Sequence, residues 1–466
     1  MIGKKSTIIL AVLFLSACSM IPEYTQPKPP VPLTWPSGPA YGEKETGPAG
    51  REIKWKDFYL GRPLQKVISL ALQNNRDLRI AALNIERTRA QYRIQGTDLF
   101  PTISALASGG EQRVPGSLSI TGQSVVSRQY SVSLGMAGYE IDFFGRIRSL
   151  EEQALQQYFA TEQARKTVQM ALITEVANVY FLLGAERERL RLAIDTLKSQ
   201  ETSFQLITRR FEIGSSSELD LRQAQTRVEA AKADIARYTG AIAQDVNILT
   251  LLVGAPVPEE LLSLNFESTE LQQTIGIETP SAVLLNRPDI LEAEHQLKAA
   301  NANIGAARAA FFPRITLTTG VGLASNGLSG LFNAGSETWA FAPQITLPIF
   351  DSGRNQANLA VSEINREISV NRYDKVIQGA FREVADALAV RGTVGKQIAA
   401  QKALVEATAE TLRLSTARYN SGIDSYLPVL DAQRALYSAE QTLIGLRLAQ
   451  AANLITLYKV LGGGSQ

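Results

Sequence analysis

Gln91-Tyr92-Arg93-Ile94-Gln95-Gly96-Thr97-Asp98-Leu99-Phe100-Pro101-Thr102-Ile103-Ser104 returns later in the chain as Asn303-Ile304-Gly305-Ala306-Ala307-Arg308-Ala309-Ala310-Phe311-Phe312-Pro313-Arg314-Ile315-Thr316. In both copies a helical pattern stops at Phe-Pro and an alternating pattern starts, because proline cannot continue a helix and pushes the residue before it into extended backbone. Further echoes follow in the same order. Asp142-Phe143-Phe144-Gly145-Arg146 matches Ile349-Phe350-Asp351-Ser352-Gly353-Arg354, and Arg210-Phe211-Glu212-Ile213-Gly214 matches Arg418-Tyr419-Asn420-Ser421-Gly422. These last two pairs share an offset of about 208 residues. Each half therefore reads as helix, strand pair, very long helix, tight glycine turn and returning helix.

The long helices carry a heptad. Val176, Leu183, Leu190, Leu197, Phe204 and Phe211 recur every seventh residue, and Val384, Ile398, Val405, Leu412 and Tyr419 continue the pattern in the second half, with Arg391 breaking it. That spacing keeps one apolar seam against a neighbouring helix. No proline falls between Gly145 and Ile213 or between Gly353 and Ser421. At ~1.5 Å per residue each helix can reach on the order of 100 Å.

The strand regions alternate. Ile315, Leu317, Val321 and Leu323 interleave with Thr316, Thr318, Gly320 and Gly322; Trp339, Phe341, Pro343, Ile345, Leu347 and Ile349 with Ala340, Ala342, Gln344, Thr346 and Pro348; Tyr130, Val132, Leu134 and Met136 with Ser131, Ser133, Gly135 and Ala137. The stretch near Thr102 to Ser108 shows the weakest pattern. Strands of ~10 residues with one apolar and one small or polar face suit a membrane barrel around a watery lumen. Four strands cannot close a barrel, and open edges in lipid leave backbone groups unpaired at several kcal/mol each. Three chains pooling their strands give twelve, the smallest symmetric arrangement that leaves a lumen.

The N-terminus reads as an address. Lys4 and Lys5 precede an apolar run from Ile8 to Leu15, then Leu15-Ser16-Ala17-Cys18. The run is too short to span a bilayer and has the form of a bacterial lipoprotein signal, so Cys18 is the expected acylation site. The prolines from Pro27 to Pro32 predict an extended strap laid over a surface or, equally, a plain linker. Composition excludes several classes of function. The net charge of +2 (47 Lys and Arg against 45 Asp and Glu) provides no field to gather nucleic acid. Cys18 and His295 are the only cysteine and histidine, so disulfides and Cys or His metal clusters are absent. There is no Gly-x-Ser-x-Gly elbow, Gly-Lys-Ser loop or His-Glu-x-x-His pair, and neither an enzyme nor a cofactor other than the lipid on Cys18 is expected.

Pro280-Ser281-Ala282-Val283-Leu284-Leu285-Asn286-Arg287-Pro288-Asp289-Ile290, the run from Ala299 to Pro313, and Tyr139-Glu140-Ile141-Asp142-Phe143-Phe144-Gly145-Arg146 resemble the outer-membrane factor (TolC) family, in particular its OprM-like lipoprotein subgroup. The likeness runs from about Trp55 to Gly462. Asn286 and Tyr139 depart from a commoner basic residue and a commoner Trp. The resemblance implies a fold that is mainly α with a membrane β-barrel: a homotrimer whose twelve-stranded barrel in the outer membrane continues into a periplasmic helical tunnel. It implies as partners a periplasmic membrane-fusion adaptor and an inner-membrane pump of the RND type, and the role of a passive exit duct for efflux. Ser19, where this subgroup avoids Asp, accords with sorting to the outer membrane.

On that likeness the tip turns carry the gate. Asp424 is the first candidate for a three-fold acidic ring, with a helix N-cap as its other reading. Asp220 reads first as a charge at the start of the returning helix and second as pore lining. Arg210 and Arg418 are candidate tethers or solvated surface, and Gly214, Ser215, Gly422 and Ile423 are expected to meet the adaptor. The expected divisions are a signal at 1–17, an acylated N-terminus and strap at 18–61, a first repeat at 62–253 (hairpin about 101–142, tip about 213–218), an equatorial connector at 254–280, a second repeat at 281–461 (hairpin about 313–350, tip about 421–426) and a tail at 462–466. The competing reading is a lipid-anchored periplasmic coiled-coil scaffold without a channel.

Overall fold

The computed structural model describes residues 19–42, 47–120, 122–262, 271–272 and 274–465; the signal segment and Cys18 lie outside the described residues. In chain order the elements are α1 (Trp55–Phe58), α2 (Arg62–Asn74), α3 (Arg76–Thr97), β1 (Ser104–Val114), β2 (Val125–Glu140), α4 (Arg146–Glu212), α5 (Glu218–Val253), α6 (Pro280–Leu284), α7 (Pro288–Ala309), β3 (Arg314–Ser325), β4 (Glu337–Thr346), α8 (Arg354–Asn420) and α9 (Leu427–Val460). The two long helices, α4 and α8, have 67 residues each. Contacts divide the chain into two units, one of residues 19–28, 84–162 and 292–373, the other of 29–83, 163–291 and 374–466.

The first unit holds one antiparallel sheet in the order β1-β2-β3-β4. Its register sorts the side chains cleanly. Val132 pairs with Leu323 and Leu134 with Val321; Val321 pairs with Trp339, Thr319 with Phe341 and Ile315 with Ile345, all on one face. The opposite face carries Ser131, Ser133, Thr316, Thr318, Gly320, Gly322, Ala340, Ala342 and Gln344. β4 ends at Thr346, so the alternation that the sequence continues to Ile349 outruns the strand. Trp339 and Phe341 are 76% and 61% exposed, as expected for a lipid-facing surface shown without its lipid.

Two structural devices join strands to helices. Asp142 accepts from the Ile147 and Arg148 N–H groups (3.2 and 3.0 Å), and Asp351 accepts from Gly353 and Asn355 (3.0 and 2.9 Å). Each aspartate thus satisfies free donors at the start of a long helix, which explains the Asp…Gly-Arg echo between the repeats. Gly145 and Gly353 take positive φ (73° and 82°), where a side chain would be strained. The second device is the Glu140 carboxylate, which holds Arg146 through two 2.8 Å bonds and Arg314 at 2.6 Å. His295 is half-buried, 2.7 Å from the Gln156 side-chain oxygen and packed on the Phe159 ring, which gives it a packing role.

The second unit contains the main core. Phe58, Leu64, Val67, Ile68, Ile173, Val176, Tyr180, Leu183, Leu249, Val253, Ile455 and Tyr458 are almost wholly buried in one cluster, each large apolar side chain contributing about 1.5–3 kcal/mol. α4 has a stretch apolar enough to cross a membrane by length and composition, but 56% of that stretch is buried within the protein. Arg287, 7% exposed, bridges Asp289 (2.7 Å), Glu383 on α8 (2.8 Å) and the Val460 carbonyl at the end of α9 (3.2 Å). The motif that carries the family likeness therefore works as an ionic clamp on three segments. The strap lies over α8: Trp35 stacks on Phe381, and Gly392 leaves room for the strap, since a Cβ there would stand 2.3 Å from the Ala40 carbonyl oxygen.

Equivalent positions in the repeats differ at one buried site. The Asn453 amide donates to the Ala387 carbonyl (2.9 Å), whereas Asp245, 208 residues earlier, is 6% exposed with one carboxyl oxygen unpartnered. Burial, reinforced by the nearby Glu186 carboxylate, pushes Asp245 up to about 6. Glu186 itself is paired with Arg189 (2.5 Å). Folding therefore favours the neutral acid, so stability is complete below the unfolded value near ~4, falls as pH rises from ~4 to ~6, and keeps a constant penalty above that. Asp245→Asn is expected to raise the unfolding temperature at pH 8, by a gain on the order of 1–3 kcal/mol, and to flatten its dependence between pH 4 and 6; a thermal melt series from pH 4 to pH 8 measures both.

Candidate functional site: the paired helix tips

Both tip turns form by the same backbone chemistry. Gly214 N–H reaches the Phe211 carbonyl and Ser215 N–H the Arg210 carbonyl (2.9 and 2.7 Å); Gly422 and Ile423 repeat this to Tyr419 and Arg418 (3.0 and 3.0 Å). This pattern satisfies the last carbonyls of each long helix and requires a left-handed residue, which glycine provides at φ 77° and 73°. An added Cβ would meet nothing within 4 Å at either position, so backbone conformation and not space selects glycine.

The tips diverge at the returning helix. Ser217 Oγ accepts from the Asp220 N–H (3.1 Å) and Asp220 Oδ2 accepts from the Ser217 N–H (3.2 Å), a reciprocal cap on α5. Asp220 is thus placed as a capping residue. Asp424 is not a cap: α9 starts at Leu427 with no side-chain cap, and Asp424 instead accepts from Arg418 through Nε (2.5 Å) and a terminal nitrogen (3.0 Å). The guanidinium hydrogen bonds hold the Asp424 carboxyl below the usual carboxylate range. Among the described residues Arg210 makes no such ion pair; its guanidinium lies 4.6 Å over the Tyr419 ring.

Tyr419 in turn packs on Tyr426, centroids 5.0 Å apart, and Tyr426 belongs to a small core with Ile207, Ala224, Val429 and Leu430. This core binds the first tip to the second, so the two turns form one structural unit. Gly214, Ser215, Gly422 and Ile423 are all exposed. Ile213, Leu219 and Leu427, which the sequence reading did not single out, are exposed beside them at 78%, 66% and 51%. Their signal was present in the sequence, as apolar residues that fall outside the heptad seam.

A four-stranded sheet with an apolar outer face, a small polar inner face and two unpaired edges, joined to helices about 100 Å long, defines one subunit of a trimeric outer-membrane channel. The chain belongs to the outer membrane efflux protein family, whose model matches residues 67–255 and 279–463. It is 49% identical over 464 residues to the probable efflux pump outer membrane protein TtgC of Pseudomonas putida, covering 99% of this chain and 96% of that one. The MtrE outer membrane channel of Neisseria gonorrhoeae, solved in an open state, superposes with a TM-score of 0.87 at 41% identity, covering 96% and 99% of the two chains. A membrane protein from Pseudomonas aeruginosa gives a TM-score of 0.90 at 42% identity, with 96% and 98% covered. The protein is therefore the outer-membrane exit duct of a tripartite efflux system, a homotrimer working with a periplasmic adaptor and an inner-membrane pump.

The asymmetry of the tips has a measurable consequence. Ser217→Ala is expected to destabilise the first turn of α5 by about 1 kcal/mol, seen as faster amide exchange at Asp220 and its neighbours. Asp424→Asn should leave the first turn of α9 unaltered in the same measurement.

Proposed function

We propose that the tip pair is the gate of this duct, and that the Arg418–Asp424 ion pair is the observation that carries the reading. Three bare carboxylates brought to one axis repel, and the repulsion opposes closure. A guanidinium hydrogen-bonded to each Asp424 removes most of that repulsion, so the ring can close while retaining a preference for cations. Arg210 on the Tyr419 ring fixes the first tip to the second so that they move together. Asp220 contributes through the stiffness of its cap, with lining of the pore as a secondary role. Gly214, Ser215, Gly422 and Ile423, joined by Ile213 and Leu219, form the surface offered to the adaptor, whose apolar side chains would cover them.

The anchor belongs to the same proposal. Cys18 carries acyl chains that hold the N-terminus on the membrane. Ile21 packs where a Cβ on Gly305 would lie 2.7 Å away, and the Asn301 amide donates to the Pro22 carbonyl (2.8 Å). Gly305 lies nine residues before the start of β3, so the segment that follows Cys18 is pinned close to the strands. The duct does no chemistry and needs no cofactor beyond that lipid. Its cargo is small toxic solutes; relatives are described as toluene, solvent and antibiotic efflux proteins.

Planar-bilayer recording of the purified trimer tests the gate. Arg418→Ala is expected to raise the open fraction severalfold, and Asp424→Ala to reduce cation preference. A protein that never conducts, with either substitution, is a scaffold and not a duct.

A further inference from the structure

The trimer requires β4 of one subunit to pair with β1 of the next, and the sheet itself specifies the register. Along the line of cross-strand partners Ala107, Val132, Leu323 and Glu337, Ala107 lies seven residues below the hairpin end of β1 at Val114, whereas Glu337 is already the hairpin end of β4. A three-fold ring must bring the hairpin ends back to one height. Glu337 therefore meets the upper end of a neighbour's β1, where the residues sharing its lipid-facing side are Glu111 and Arg113.

Charge and size choose between them. The two hairpin loops, 115–124 and 326–336, carry no charge, and the charged groups of the upper sheet are Glu111, Arg113, Arg128 and Glu337, all on the lipid-facing side. Arg128 pairs with Glu111 (3.3 Å). Arg113 donates to Ser124 (3.0 Å) and Glu337 accepts from the Gly335 N–H (3.1 Å), and among the described residues neither forms an ion pair within its own subunit. One edge thus presents an unmatched cation and the other an unmatched anion. Glu337 opposite Glu111 would set like charges face to face, which destabilises a strand pair.

With Glu337 on Arg113, Thr346 falls on Ser104 and all ten residues of β4 lie within β1. Phe341, Pro343 and Ile345 then stand against Gly109, Ala107 and Ala105, large against small. The six-residue advance from Ala107 to Arg113 in each subunit corresponds to a strand tilt of about 45° in a twelve-stranded barrel. We propose that the subunit seam is registered by an Arg113–Glu337 ion pair between neighbouring copies of this chain, at the outer rim of the lipid-facing surface.

Full-length protein in native membranes tests this in two independent arms. A short thiol cross-linker should convert the Ala105→Cys/Ile345→Cys variant to covalent trimer and leave Ala105→Cys/Pro343→Cys, slipped by two residues, mostly unlinked; preferential linking of the slipped pair overturns the register. Arg113→Glu and Glu337→Arg should each lower the temperature at which the trimer dissociates in SDS, and the two together should recover most of the loss. Losses that merely add overturn the ion pair, whatever the cross-linking shows. Wild-type trimer, run beside both arms, separates failure of the register from failure of the trimer itself.

Discussion

A sheet edge in hydrocarbon has no water to satisfy its N–H and C=O groups, and each unpaired group costs several kcal/mol. The four strands of this chain leave two such edges. The rest of the structure follows from that constraint: the chain cannot be a membrane protein alone, three copies must share a barrel, and the helices that continue from twelve strands must number twelve. The internal repeat reaches the same end, since each half supplies one hairpin and one pair of long helices.

The junctions show how little sequence is needed to convert one periodicity into another. At the entry to each hairpin a Phe-Pro stops the helix, and at the exit a glycine in left-handed conformation and an aspartate cap restart it. The Glu140 carboxylate, shared by Arg146 and Arg314, ties β2 to β3 and to α4 at that exit. Arg287 does the corresponding work in the second unit, where it joins the turn between α6 and α7 to α8 and α9. Both are charged groups with little exposure that are fully paired, and removing one partner of such a group costs more than the pair itself contributes.

The fold was legible because the period of two and the heptad are local in sequence, and the second half, about 208 residues on, copies the order of the first. The first strand was the hardest to read, since its lipid-facing residues Ala105, Ala107 and Gly109 are small; a seam that sets them against large side chains of a neighbour gives the reason. The tips were only partly legible. Glycine at the turn is a local requirement and was readable, as was an acidic residue at the start of α5. That Asp424 pairs back to Arg418 and does not cap α9 depends on the path of the turn, which no periodicity encodes. The Arg210–Tyr419 contact joins residues 209 positions apart and is invisible without the fold.

Sheet and trimer exist only together. Native mass spectrometry of detergent-extracted protein, with far-ultraviolet circular dichroism followed on the same sample during heating, tests it most directly. The account predicts a single species of three chains, each of at most 50.7 kDa of protein, whose sheet signal is lost in the same step as the trimer. A monomer that retains its sheet would contradict it.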